Sequence, residues 1–264
     1  MDERKPSIGL TVIAAFGLVF LLAPLLVVIP LSFSGDALLA FPPTSWSVRW
    51  YLGILHEPTI LAACWTSLVL ASSSTLLCLL IGLPAAFALV RLKLPGASLL
   101  SSLYTAPLLL PSIVLAIAIL IVFARLGMLG TFRGLLAGHL IMTLPYAIRT
   151  LATSLAGLPP DFEEAAATLG GRPFTVYRRV TLPLMLPGIA ATAALCFLVS
   201  FDEVVLSLFL TGPRISTLPV EMFHYVETRA DPLTAALSVI LLAITVIVVI
   251  VLDRTVGLAR TFAR

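Results

Sequence analysis

The chain of 264 residues contains no asparagine and no glutamine. Neutral polar readout in its interior therefore falls to Ser, Thr, Tyr and backbone groups. Charge is scarce as well: Asp, Glu, Lys and Arg make up 11% of residues against 60% hydrophobic, and mean hydropathy is +1.12. That balance excludes an ordinary soluble domain and points to a polytopic membrane protein. The three cysteines, Cys64, Cys78 and Cys196, lie in apolar runs with no C-x-x-C spacing and no histidine nearby in sequence, so they read as packing residues. Neither G-x-x-x-x-G-K-[ST] nor H-E-x-x-H occurs, which excludes ATP binding on a phosphate loop and zinc hydrolysis of the usual kind.

What the chain has in abundance is long apolar runs. A spanning helix needs about 20 apolar residues, and six stretches qualify: 8–33, 60–90, 99–124, 134–155, 184–211 and 234–256. The basic MDERKPS before the first run resembles a signal-peptide start, but neither a short apolar core nor a small-residue cleavage site follows, so a retained first span is expected. Lys and Arg decide the orientation. With the N-terminus inside, the cytoplasmic set is Arg4, Lys5, Arg91, Lys93, Arg149, Arg172, Arg178, Arg179, Arg254, Arg260 and Arg264, 11 of the 16 basic residues. Both termini are then cytoplasmic, and so is the segment between the fourth and fifth spans.

That segment, PPDFEEAAATLGGRPFTVYRRVTLPLMLP from Pro159 to Pro187, is the most polar internal stretch. Pro159 and Pro160 stop the preceding helix, Asp161 can cap a new one, and Glu164 completes a D-x-x-E capping box. Ala165, Ala166 and Ala167 give that helix a flat side, and Gly170-Gly171 suits a left-handed end. A second short helix is expected from Pro173, carrying Tyr177, Arg178 and Arg179, and is expected to break at Thr181-Leu182-Pro183.

Glu164-Ala165-Ala166, then Gly170 after three residues, then Val180-x-Leu182-Pro183 after nine more, resembles the EAA loop of membrane permeases in ATP-binding-cassette (ABC) importers, with Val180 where isoleucine is usual. The resemblance implies an all-α, six-span permease of the type I importer fold. It also implies that Glu164, Ala165, Ala166, Gly170, Val180, Leu182 and Pro183 form a coupling helix and its flank, docking on a separate ATP-hydrolysing subunit. No cofactor belongs to this chain; ATP would sit on the partner. Further implied partners are a second permease subunit, in a heterodimer, an external solute-binding protein and membrane lipid; nucleic acid is not among them. The implied location is a bacterial inner membrane. The expected organisation is a first span and external segment over 1–59, a permease core over 60–256 containing the coupling loop 159–183, and a basic tail over 257–264 lying at the anionic inner surface.

The remaining features are read span by span. Phe41, Trp46, Trp50 and Tyr51 in the first external segment fit interfacial anchors, with a lid or partner contact as the alternative. Ser67, Ser72, Ser73, Ser74 and Thr75 in the second span suit close helix packing or a pathway lining. Pro107 and Pro111 should bend the third span. His139 in the fourth reads as hydrogen-bonded packing more readily than as a proton relay. The last span carries no charge over Leu233 to Leu252 and should face lipid. Asp202 and Glu203 follow Ser200-Phe201 in what reads as one continuous fifth helix, where lipid exposure of a charge is costly. They either pair with a neighbouring helix or a helix end, or attract a cation in passage. Asp36, Glu57, Asp202, Glu203, Glu221, Glu227 and Asp231 against Arg49, Arg125, Arg133, Arg214 and Arg229 leave the outward and intramembrane set at seven minus five negative charges, a lean toward a cation.

Ser200-Phe201-Asp202-Glu203, Thr211-Gly212-Pro213 and Thr217-Leu218-Pro219-Val220, ahead of a short helix and the last span, resemble the spermidine/putrescine branch of these permeases. The branch implies a polyamine cargo, with Asp202, Glu203 and Ser200 as pathway residues; an opine, a phosphonate, an iron chelate or thiamine is the alternative within the same architecture. An ion-driven secondary transporter would not need the loop motif. An intramembrane enzyme would need a catalytic pair that neither Asp202-Glu203 nor His139 supplies at a recognisable spacing.

Overall fold

The computed structural model describes residues 8–92 and 95–256, and these are helical almost throughout. Strand pairing among the described residues is confined to two isolated bridges, Ser34 with Trp46 and Gly212 with Ile215. In chain order the helices are α1 Ile8–Ser32, α2 Arg49–Ile54, α3 Pro58–Arg91, α4 Ala97–Leu109, α5 Ser112–Arg125, α6 Phe132–Ala156, α7 Asp161–Thr168, α8 Pro173–Val176, α9 Leu182–Leu184, α10 Leu186–Phe201, α11 Val205–Leu210, α12 Leu218–Thr228 and α13 Leu233–Val256. Arg4, Lys5, Lys93, Arg260, Arg264 and the basic tail 257–264 lie outside the described residues.

α1, α3, α6 and α13 are each long and apolar enough to cross a membrane. Two bent pairs bring the number to six if each is one span: α4 with α5, turned by 102°, and the Pro173–Leu184 stretch with α10, turned by 68°. The first bend exceeds the expected kink. Pro111 is the cause: the residue before a proline is pushed out of the helical region, and Leu110 is extended at φ −87°, ψ 140°. Pro107 sits inside α4 without breaking it.

The fifth span also departs from the continuous helix expected over 184–211. α10 ends at Phe201 and α11 begins at Val205, so Asp202 and Glu203 stand in a break rather than on adjacent faces of one helix. Glu203 Oε1 accepts the Leu206 N–H at 2.8 Å, in the manner of an N-terminal side-chain cap on α11.

The chain divides into two compact units, Met1–Leu61 with Met222–Ile244 and Ala62–Glu221 with Thr245–Arg264. In the first, α1 is apolar on every side and exposes Phe16, Phe20, Leu21 and Leu26, as a lipid-facing helix should. The turn that follows is organised by Asp36, whose carboxylate accepts from the Thr44 hydroxyl, from the Thr44 N–H at 2.9 Å and from Ser34 Oγ at 3.1 Å. The Thr44 hydroxyl and then the Thr44 N–H hold that carboxyl below its ordinary pKa. Tyr51 donates to Ser32 Oγ at 2.7 Å, and Trp46 is exposed.

The second unit holds the core. Leu70, Ala116, Ile119, Phe123, Leu135, Leu206 and Leu210 join α3, α5, α6 and α11. Ala86, Leu151, Leu155 and Met185 form a second cluster, and Cys78, Ala147 and Cys196 a third. α6 and α10 approach so closely that a Cβ on Gly188 would land on the Ser154 side chain. Gly188→Val should therefore destabilise the protein by about 1–3 kcal/mol through overpacking, read as a lower melting temperature in detergent. Gly17→Val, with open space around it, should leave the melting temperature unchanged.

Candidate functional site

The loop between the fourth and fifth spans is built outward from its prolines. Pro160 is already helical at φ −65°, ψ −17°, and its carbonyl accepts the N–H groups of Glu163 and Glu164 at 2.9 and 3.0 Å. The cap thus falls on Pro160, one residue before the expected Asp161. Asp161 is the first residue of the helix and makes no side-chain cap, because the preset φ of proline recruits Pro160 instead. Asp161, Glu163 and Glu164 all occupy the first turn, where negative charge suits the helix dipole. Gly170 ends the helix at φ +83°, as the double glycine suggests. The chain then does not stop at Leu182-Pro183. Tyr177–Thr181 winds into a π turn, with the Leu182 N–H bonded to the Tyr177 carbonyl, and Pro183 is accommodated in the first turn of α9. The bend falls at Met185, which is buried.

Two spans hold this loop through one guanidinium. At 34 residues, α3 is about 51 Å long, more than the roughly 30 Å of hydrocarbon, so its end can reach beyond the bilayer. There Arg91 Nε donates to Glu163 Oε2 at 3.0 Å, and Nη2 donates to the carbonyls of Leu158 at 2.9 Å and Leu155 at 3.3 Å. Those carbonyls lie at and just past the end of α6, where helix carbonyls run short of intrahelical donors. The other Glu163 oxygen accepts from Thr181 Oγ1 at 3.0 Å. Phe87 on α3 meets the Tyr177 ring edge-on at 5.0 Å. Arg91 and Glu163 side chains retain only 15% and 20% exposure, so the pair is shielded more than a surface ion pair.

The motif residues lie on the other side of this clamp. Glu164, Ala165 and Gly170 are exposed, and Ala166, Val180 and Leu182 are half-buried, with Pro183 exposed. Around them three large apolar side chains face outward: Phe162 at 52%, Phe174 at 73% and Leu169 at 90% exposure. Sequence reasoning missed Glu163, Arg91 and these three. Glu163 and Glu164 are indistinguishable until the phase of α7 and the position of Arg91, 72 residues away, are known. Phe162, Leu169 and Phe174 were legible as apolar residues in a polar loop.

The acidic pair and Ser200 are brought to a different place. Asp202 is exposed and Glu203 half-buried at the break between α10 and α11. Ser200 is buried, and its hydroxyl lies 2.9 Å from His139 Nδ1. His139 proves to be the hydrogen-bonded packing residue its sequence context suggests. Cys78 and Cys196 are buried, and Cys78 Sγ lies 3.0 Å from Thr143 Oγ1. Among the described residues no group of three or more His, Cys, Asp or Glu side chains is placed to hold a metal ion.

Residues 78–258, which contain the loop, its Glu163 anchor and the acidic break, match the model of the family described as binding-protein-dependent transport system inner membrane component. The chain belongs to that family. This inner membrane component is 33% identical over 231 residues to the spermidine/putrescine transport system permease protein PotC of Escherichia coli K12, covering 88% of this chain and 87% of PotC. It is 31% identical over 238 residues to the putrescine transport system permease protein PotI of the same strain, covering 88% and 84%. It is also 33% identical over 237 residues to the molybdenum transport system permease protein ModB of Mycobacterium bovis, covering 82% and 89%. In fold it is similar to a chain of a bacterial ABC transporter that imports the acidic polysaccharide alginate, with a TM-score of 0.68 at 16% identity over 97% of this chain and 99% of that one. The six-span helical permease fold expected from the sequence is thereby borne out, and this inner membrane component is a transport subunit.

The clamp makes a prediction for the loop's local stability. Glu163→Ala leaves Arg91 unpaired, and loss of a hydrogen bond to a charged group, about 1.5–3 kcal/mol, should raise the open population of the loop by at least about tenfold. Trypsin cleavage at Arg178 and Arg179, both exposed, should accelerate accordingly in open membrane fragments. Glu164→Ala should cleave at the wild-type rate.

Proposed function

We propose that this chain is the permease subunit of an ATP-driven importer for a polyamine, and that loop 159–183 within the core 60–256 couples it to a separate ATPase. The observation that supports the cargo is the likeness to PotC and PotI along 88% of the chain. The observation that supports the coupling is the loop itself. It presents Phe162, Leu169 and Phe174 to solvent beside Glu164, and an exposed apolar patch on a polar segment marks a protein contact, while Glu163 ties it back to the spans.

In this reading the sequence lacks a phosphate loop because ATP is bound and hydrolysed by the partner. Two such ATPase subunits would grip the loops of this chain and of a second, different permease, and an external binding protein would deliver the solute. Closure of the ATPase pair draws the two loops together, and rigid-body motion of the spans reverses the side on which the pathway opens. Glu164 offers an acidic side chain to a donor on the ATPase; Ala165 and Ala166 allow close approach; Gly170 permits the turn; Val180, Leu182 and Pro183 hold the flank. The concentration of Lys and Arg on the loop side supports cytoplasmic termini and loop. Asp202 and Glu203 offer carboxylates to a cationic solute at the break in the fifth span.

A second cargo keeps a place because ModB is as similar in identity as PotC. The deciding experiment is uptake of labelled putrescine and spermidine by cells with and without the chain, with molybdate, amino acids, opines and phosphonates as competitors. Deletion should abolish polyamine uptake, the wild type should restore it, and Glu164→Lys or Gly170→Val should fail to restore it while reaching the membrane in normal amount. Unchanged polyamine uptake on deletion overturns the cargo; full transport by both variants overturns the coupling role.

A further inference from the structure

The break between α10 and α11 has no proline and no glycine in it: the sequence from Phe201 to Val205 is Phe-Asp-Glu-Val-Val. Nothing in the local backbone chemistry demands an interruption there, so tertiary contacts must hold it. One side chain reaches both sides of the break. His139, on α6, is 1% exposed. Its Nδ1 lies 2.9 Å from Ser200 Oγ in the last turn of α10, and its Nε2 lies 3.0 Å from Ser207 Oγ on α11. A neutral imidazole donates from one nitrogen and accepts at the other, and a hydroxyl can take either role, so both bonds form in either tautomer. Ser200 and Ser207 are themselves buried.

The backbone of His139 is tied in turn, through Thr143, to α3. The His139 carbonyl accepts from Thr143 Oγ1 at 2.7 Å, and that oxygen lies 3.1 Å from Ser74 Oγ and 3.0 Å from Cys78 Sγ. A continuous buried polar seam therefore runs from α3 through α6 to both halves of the fifth span. In hydrocarbon such hydrogen bonds act as interhelical glue. They terminate on the two serines that flank Asp202 and Glu203.

We propose that His139 is a positioning residue that pins the break in the fifth span open, and through it holds Asp202 and Glu203 out of the helix and toward the solute. Without the pin, the Glu203 carboxylate on the Leu206 N–H is the remaining side-chain bond that keeps the two half-helices apart. The segment relaxes toward one continuous helix, and Asp202 turns away from its exposed position.

The structural arm of the test does not depend on the cargo; the uptake arm rests on the polyamine reading. In the assembled transporter, Asp202→Cys is labelled from outside with a charged methanethiosulfonate, with the parent chain as background. Adding His139→Ala should slow labelling about fivefold, and Ser207→Ala, which leaves the imidazole in place and removes only its tie to α11, should slow it comparably. His139→Gln, which keeps one amide donor and one acceptor, should recover part of the rate. Ser200→Ala and Ser207→Ala should add little to His139→Ala, because they cut the same bonds. In chains with Asp202 intact, His139→Ala should raise the KM for labelled putrescine about fivefold with kcat retained, a split that loss of general packing does not produce. If His139→Ala does not assemble, Ser207→Ala decides alone. Unchanged labelling overturns the pin, whatever uptake does. Slowed labelling in a transporter that carries no putrescine even with the parent chain keeps the pin and overturns the polyamine reading.

Discussion

Inside hydrocarbon a backbone N–H or C=O has no water to turn to, and this constraint decides where the chain can stop being helical. Both interruptions obey it. At the third span, the Leu110 N–H bonds to the Pro107 carbonyl, and the Pro111 carbonyl receives the N–H groups of Val114 and Leu115 on the far side of the 102° turn. At the fifth, the Asp202 N–H bonds to Leu198, Leu206 finds the Glu203 carboxylate and Leu208 finds Val204. The first break is encoded locally by a proline. The second is held from outside by side chains on α6, and it is the one that carries the acidic pair.

The same scarcity of polar partners explains the division of labour at the other end. Arg91 closes the 34-residue α3, and its guanidinium donates at once to the carbonyls of Leu155 and Leu158 at the end of α6 and to the carboxylate of Glu163. Glu163 passes the restraint on to Thr181 at the π turn. The short helix α7 is too brief to be stable by itself; it is held by this clamp, while Phe162 and Glu164, on either side of Glu163, stay exposed. Adjacent residues thus serve opposite ends: Glu163 grips the membrane domain and Glu164 faces away from it.

How much was legible in the sequence follows the same line between local and distant causes. Six apolar runs, the glycine turn at Gly170 and the polar loop were legible because each depends on residues close in sequence. Pro111 announced a bend, though its size depended on Leu110 adopting the extended conformation. The break at 202–204 was not legible, since its causes are Ser200 and Ser207 bonding to a histidine 61 and 68 residues away. The cap at Asp161 was misplaced by one residue because Pro160 is itself helical, a competition between side-chain capping and a preset φ that the motif spacing does not reveal. Glu163 was overlooked because the motif begins one residue later.

The central claim is mechanical: the loop moves with the spans as one body because Arg91 and Glu163 join them. It is tested most directly by pulsed electron resonance between spin labels on Leu169→Cys in the loop and Thr153→Cys on α6, both exposed positions, in the assembled transporter without nucleotide and trapped with ATP and vanadate. The account predicts the same single narrow distance in both states, and a broadened one when Glu163→Ala is added. A distance that shifts between the two states by a helical turn, about 5.4 Å, with the clamp intact would contradict it.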